Sequence, residues 1–170
     1  MKKISAACIT IMFLTVVVVL SSGREVTATH EYLVTKYYRF EEIGSDEIIQ
    51  EFFPKYEKID SIELFIANIY PETEGKISLT IIDENNKNIY SKKFKASSIP
   101  TGEFYRYKIG KKLEKDGYYR ILLSYEGNSK ELPQVMVSER GKNLMETGGM
   151  YIDGDENKYN LAITYHYSER

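Results

Sequence analysis

Two histidines, His30 and His166, and one cysteine, Cys8, make up the whole imidazole and thiol inventory of this chain. A Ser-His-Asp or Cys-His site needs a base, an orienting group and an activated nucleophile in one place. His30 falls in a polar stretch near the N-terminus, so such a site would rest on His166, which has no nucleophile motif beside it. His166 reads as an ordinary strand residue. Two acids roughly 5–10 Å apart would suffice for glycoside hydrolysis, and Glu51, Glu63 and Glu103 sit on or beside extended runs. No apolar pocket is written around them to raise a carboxyl pKa, and Trp, the usual wall of a sugar subsite, is absent. They read as solvated face charges. The expectation is a protein that is not an enzyme, with a small sandwich glycosidase as the competing class.

Binding chemistry is better supplied. Asp153, Asp155 and Asn157 place oxygen atoms at alternate positions, as a hard cation such as calcium prefers. The carboxylate that would complete a calcium loop is missing at Lys158 and Tyr159, and the same residues make a polar β-turn. No cofactor is expected, and calcium is the one metal this loop would suit. A second constellation mixes rings with donors: Phe104, Arg106, Tyr118, Arg120 and His166. Aromatic rings stack on the C–H faces of sugars while guanidinium and imidazole groups hydrogen-bond hydroxyls. These five form a candidate ligand face provided that Tyr119, Ile121 and Leu123, and Leu161, Ile163 and Tyr165, turn inward. The plain alternative is that the rings shield a sheet surface.

The elements that must position them are strands. Ile62, Leu64 and Ile66 alternate with Glu63, Phe65 and Ala67, the period-2 pattern of an extended chain with one buried face. Ile77, Leu79 and Ile81 repeat it after a Pro71-to-Gly75 break. Asp83 to Asn88 turns the chain, because Asn and Asp tolerate left-handed angles and cap their own turns. A third run follows at residues 89–95, where Lys92, Lys93 and Lys95 suit a solvated edge strand. Residues 104–109 set Tyr105, Tyr107 and Ile109 against Phe104, Arg106 and Lys108. Residues 118–125 put Tyr119, Ile121, Leu123 and Tyr125 on one side. Residues 29–40 read as a linker running into a first strand, 41–46 as a loop, 48–53 and 134–138 as short strands, and 141–149 as the least patterned stretch, with one helical turn at 143–146. Met150 to Ile152 and residues 159–167 look like a closing hairpin. Eight to ten strands with turn signals every ten or so residues predict an all-β chain, an antiparallel two-layer β-sandwich wound jelly-roll-like.

The 170 residues carry 23 Lys+Arg against 25 Asp+Glu, a formal charge of −2. No basic field of the whole chain recruits nucleic acid or an anionic membrane. Lys2 and Lys3 precede an uncharged apolar run over residues 4–20. As a helix this run would span about 26 Å at ~1.5 Å per residue, just under a ~30 Å hydrocarbon core. Small residues at Val26-Thr27-Ala28 and at Ser21-Ser22-Gly23 offer cleavage sites. A cleaved signal peptide and a retained anchor both export the rest, dividing the chain into a leader with its linker (1–28) and a sandwich domain (29–170). Cys8 lies inside the leader, so the folded part has no disulfide or cysteine metal site. Because the apolar run follows Cys8, a lipoprotein anchor is not expected.

The strand-and-turn pattern resembles a family of bacterial extracytoplasmic jelly-roll modules, found in cell-envelope and polysaccharide-biosynthesis membrane proteins and similar in architecture to carbohydrate-binding modules. The matching pieces are Ile49-Gln50-Glu51-Phe52, residues 59–67, Gly75 to Asp83, and Gly117-Tyr118-Tyr119-Arg120-Ile121. Met150-Tyr151-Ile152-Asp153-Gly154 followed by Tyr159-Asn160-Leu161-Ala162-Ile163 resembles the family's closing segment, with Asn160 where Asp is common and Ile163 where Phe is common. The resemblance runs from Gln50 to Tyr167. It implies a non-catalytic accessory module outside the cytoplasm, with envelope polysaccharide or an envelope protein as partner, no nucleic acid, and membrane contact only through the N-terminal segment. A structural or protein–protein role in an envelope assembly is the alternative.

Overall fold

The computed structural model describes residues 25–28, 38–127, 132–139 and 147–168. Thirteen strands lie among them: β1 (Glu25–Ala28), β2 (Tyr38–Glu42), β3 (Ile48–Phe52), β4 (Lys58–Ala67), β5 (Lys76–Asp83), β6 (Asn88–Lys95), β7 (Glu103–Lys112), β8 (Tyr119–Glu126), β9 (Gln134–Glu139), β10 (Thr147–Ile152), β11 (Asp155–Asn157), β12 (Tyr159–Leu161) and β13 (Ile163–Ser168). A single 3₁₀ turn at Ala96–Ser98 is the sole helical element among the described residues. The strands form two antiparallel sheets. One has seven strands, in the order β1-β13-β4-β9-β12, with β7 on the other side of β4 and β2 on the other side of β9. The second has six, in the order β11-β10-β3-β8-β5-β6.

The two sheets pack as a β-sandwich because the alternating residues supply each with one apolar face. Ile62, Leu64 and Ile66 of β4, Ile163, Tyr165 and Tyr167 of β13, and Val135 and Val137 of β9 turn inward from the seven-stranded sheet. Ile77, Leu79 and Ile81 of β5, Tyr119, Ile121, Leu123 and Tyr125 of β8, and Ile48 and Phe52 of β3 meet them from the six-stranded sheet. Each large apolar side chain so buried contributes about 1.5–3 kcal/mol relative to exposure. Phe52 stacks on Tyr165 across the layers, with ring centroids 5.3 Å apart. The edge strands β6 and β7 meet along one side, where Phe94 packs edge-on against Tyr107 at 5.0 Å. There the Tyr90 hydroxyl donates to the Lys108 carbonyl at 3.1 Å. Burial, and then the neighbouring Tyr105, push the Tyr107 phenol well above the ordinary tyrosine range.

A buried amide fastens the layers. Gln50 is fully buried in β3, with its Oε1 accepting from Leu161 N at 2.9 Å and its Nε2 donating to Gly149 O at 3.2 Å. Leu161 is the last residue of β12, after which the chain changes partner from β9 to β4. Gly149 belongs to a bulge in which Gly148 and Gly149 stand opposite Glu51. Gln50 thus satisfies backbone groups that two irregular strands leave out of their ladders.

Four expectations change. The C-terminal segments do not form one closing hairpin. β10 pairs with β11 through the two-residue turn Asp153-Gly154, both at positive φ, as Asp-Gly favours. β12 and β13 then join the other sheet. β10 also begins at Thr147, three residues before the expected run. β2 continues to Glu42, where a loop was expected. β1 pairs with β13 from Glu25 to Ala28, so the sandwich begins before residue 29 and the Val26-Thr27-Ala28 cleavage site falls inside a strand. β6 does end its sheet as an edge strand. The apolar run at 4–20, Ser21-Ser22-Gly23, His30 and the turn at 143–146 lie outside the described residues.

Candidate functional site

β7 presents Phe104, Arg106 and Lys108 outward because Tyr107 and Ile109 turn into the core. On its neighbour β4, Glu63 stands opposite Arg106 and Phe65 opposite Phe104. The guanidinium of Arg106 donates through Nε to Glu63 Oε1 at 2.7 Å. His166, on β13 at the far side of β4, sits with Nε2 3.2 Å from the same oxygen and is only 3% exposed. Glu63 is therefore the hub of a row that crosses three strands. One row further along, Phe65 lies edge-on to Phe104 at 5.4 Å and tilted against Phe40 of β2 at 5.9 Å. Phe40 and Phe104 are 42% and 40% exposed, an outward aromatic strip that the core does not use.

Beside the Arg106–Glu63 row the sheet is irregular. Against β7 the register shifts so that Ile109 and Gly110 stand opposite Asp60 alone. Against β13 the register shifts at the same residue, leaving Asp60 unmatched between the His166–Ser61 and Tyr167–Ile59 pairs. Gly110 accommodates this with a left-handed φ of +62°. The two breaks open a depression of about 510 Å³ lined by Asp60, Ser61, Arg106, Lys108, Gly110 and Ser168 among others. Lys58 Nζ lies 3.1 Å from Asp60 Oδ1 and offsets its charge. The Ser168 hydroxyl is buried with no hydrogen-bond partner among the described residues.

The five sequence-selected residues are not on one face. Phe104, Arg106 and His166 lie on the seven-stranded sheet, whereas Arg120 lies near the start of β8 on the six-stranded sheet and Tyr118 immediately precedes that strand. The inward positions are as expected, with Tyr119, Ile121, Leu123, Leu161, Ile163 and Tyr165 all buried, but they turn inward from opposite layers. On the second face the Tyr118 hydroxyl donates to Glu51 Oε1 at 2.7 Å and Gly149 N donates to Glu51 Oε2 at 2.8 Å. Arg120 Nη2 donates to Asn86 Oδ1, and its guanidinium lies 5.9 Å from the Tyr118 ring centre. Partial burial, then the hydrogen bond to Glu51 and its charge, push the Tyr118 phenol up to about 12, against a smaller opposing pull from Arg120.

Of the three carboxylates, Glu51 belongs to one sheet and Glu63 and Glu103 to the other, on the neighbouring strands β4 and β7. Asp153 sits in the β10–β11 turn, and Asp155 and Asn157 sit on β11. Asn157 Oδ1 accepts from Tyr159 N at 3.0 Å, an Asx turn within its own loop. Among the described residues no group of three or more His, Cys, Asp or Glu gathers to hold a metal ion. Sequence reasoning missed Phe40, Phe65, Lys108 and the Asp60–Gly110 irregularity. Phe65 and Lys108 were visible as outward members of alternating runs, but the register that brings them together was not.

No family model matches the chain, and no curated protein is similar to it. Among solved structures, one from the infectious bursal disease virus Gt strain aligns with 8% identity and a TM-score of 0.25. That alignment covers 88% of this chain and 36% of the viral chain. A likeness at this score carries no argument about fold or function.

Proposed function

We propose that this chain is a non-catalytic binding module that takes a saccharide on the outer face of β4 and β7. The observation that carries it is the juxtaposition of the Phe40–Phe65–Phe104 strip with the Arg106–Glu63 row and the depression beside it. Rings offer a surface for the C–H faces of a sugar. The guanidinium and carboxylate groups next to them offer donors and acceptors for its hydroxyls. Depressions of about 300–1,000 Å³ suit small-molecule ligands, and this one falls within that range. On this reading Tyr118 and Arg120 hold the opposite face together and do not touch ligand.

The sandwich is wound jelly-roll-like on this reading, and residues 1–24 export it as a signal peptide or anchor, so it works as an accessory module at a bacterial cell surface. The resemblance to envelope modules supports that setting. Calorimetric titration of the full-length chain against a glycan panel tests the binding. Phe104→Ala should lose about fivefold in affinity, from roughly 1 kcal/mol per stacked ring, with Tyr118→Ala unchanged. No glycan bound at millimolar concentration would favour an envelope-protein partner instead. N-terminal mass spectrometry tests the setting. A mature chain starting at Arg24 keeps β1, whereas one starting at Thr29 would have lost it.

A further inference from the structure

The whole chain is mildly acidic, yet its two meeting edge strands are not. β6 carries Lys92, Lys93 and Lys95, and β7 carries Arg106, Lys108, Lys111 and Lys112, with Glu103 the single carboxylate of the pair. Edge lysines discourage strand-to-strand aggregation, but that role does not require a hollow beside them. Here Lys108 and Arg106 wall the depression at the double register break. Arg106 is braced by Glu63, whereas no ion pair engages Lys108 among the described residues.

We propose that this depression is an anion subsite, taking the carboxylate or phosphate substituent of an acidic saccharide against the Lys108 ammonium. This rests on the saccharide reading of the β4–β7 face and names the ligand class for it. Several features select a sugar acid over a dense polyanion. Phe104 lies on the same outward face of β7, two positions before Arg106 and four before Lys108, so a saccharide bearing the charged group can continue onto the aromatic strip. Asp60, with its side chain 35% exposed, also lines the hollow, and a sugar has hydroxyls to donate to it. The whole-chain charge of −2 already includes this local excess, so the remainder is more acidic still and repels nucleic acid or an anionic bilayer. Lysine suits the task, because a compact ammonium on a flexible stem adapts to either a carboxylate or a phosphate.

Titration calorimetry of the full-length chain separates the outcomes. The probes are trigalacturonate, its methyl ester, and maltotriose carrying one phosphate. The acid, the phosphate or both should bind about tenfold tighter than the neutral ester, the factor one charge-assisted hydrogen bond supplies. Whichever anion binds more tightly identifies the substituent. Lys108→Gln should erase that advantage and leave the ester unchanged, and Lys108→Arg should restore it. Lys108 is exposed on an edge strand, so both variants keep the fold, and their circular-dichroism spectra should match the wild type. Equal affinity for acid and ester, or no loss in Lys108→Gln, overturns the subsite while the saccharide module stands. Absence of binding by all three probes overturns both. Tighter binding of a DNA duplex or of phosphatidylglycerol vesicles than of any saccharide also overturns it.

Discussion

The outer faces of the two sheets are built from the same kinds of residue and end in different states. Each has a carboxylate in the middle of a strand, an arginine on the neighbouring strand and aromatic rings close by. On the six-stranded sheet Glu51 is consumed by the fold, with one oxygen on Tyr118 and the other on the backbone of the Gly148–Gly149 bulge. Its arginine turns to Asn86. On the seven-stranded sheet Glu63 gathers Arg106 and His166 on one oxygen, while the adjacent rings stay outward and the register breaks into a hollow. One bulge is filled by a side chain, and the other irregularity stays open beside exposed rings. That difference follows from which residue stands opposite the irregularity: a glycine pair facing a carboxylate in one case, an aspartate already offset by its own strand's lysine in the other.

The largest effect should come from the amide that ties both faces together. Gln50→Ala leaves Leu161 N and Gly149 O buried without partners and should cost about 3 kcal/mol, lowering the melting temperature by about 6–12 °C. A melt within 2 °C of wild type would show that the two layers do not depend on it.

Next, the two carboxylates should separate by readout. Glu51→Ala loses a phenol and a backbone donor and should destabilise by about 2 kcal/mol in urea unfolding, with saccharide affinity unchanged. Glu63→Gln keeps the shape of the hub and loses its charge. Because the Arg106 pair is half exposed, its stability cost should stay under about 1 kcal/mol, while affinity falls about fivefold. The reverse pattern would exchange the roles of the two faces.

A third and smaller effect depends on pH. Folding raises the Tyr118 phenol to about 12, so between its unfolded and folded values the folded chain holds a proton the unfolded chain has lost. Stability from the neutral phenol is complete below about pH 10 and disappears as the pH rises through about 12. With the ring partly solvated, the loss should be about 1 kcal/mol. Urea midpoints from pH 9 to 11.5 should fall less steeply in Tyr118→Phe than in wild type, and equal slopes would remove Tyr118 from the alkaline transition. The smallest effect belongs to Glu126, whose carboxyl Lys93 holds below the ordinary range through a hydrogen bond and its charge. The pair is fully solvated at Glu126, so Glu126→Gln should leave the melting temperature unchanged within error, and a clear drop would mark the β5–β6–β8 edge as more tightly built than its exposure suggests.

The sequence by itself determined the strands and their two faces. Ile62-Leu64-Ile66, Ile77-Leu79-Ile81 and Tyr119-Ile121-Leu123-Tyr125 were legible as inward sets because alternation is local, set by the pleat of one chain and needing no partner. The Asp83 to Asn88 turn was legible for the same reason, and Asp83 Oδ1 does accept from Asn85 N and Lys87 N, both at 2.9 Å. Tertiary structure alone decided which outward sets share a surface. Tyr118 and Arg106 both alternate outward, yet they face away from each other, because strand pairing joins residues distant in sequence and alternation says nothing about which sheet receives a strand. The candidate site depends on this non-local register. Gly110 and Asp60 look like ordinary strand residues until β7 and β13 both slip against β4 at one position, and only that coincidence brings Lys108, Ser61 and Ser168 around one hollow.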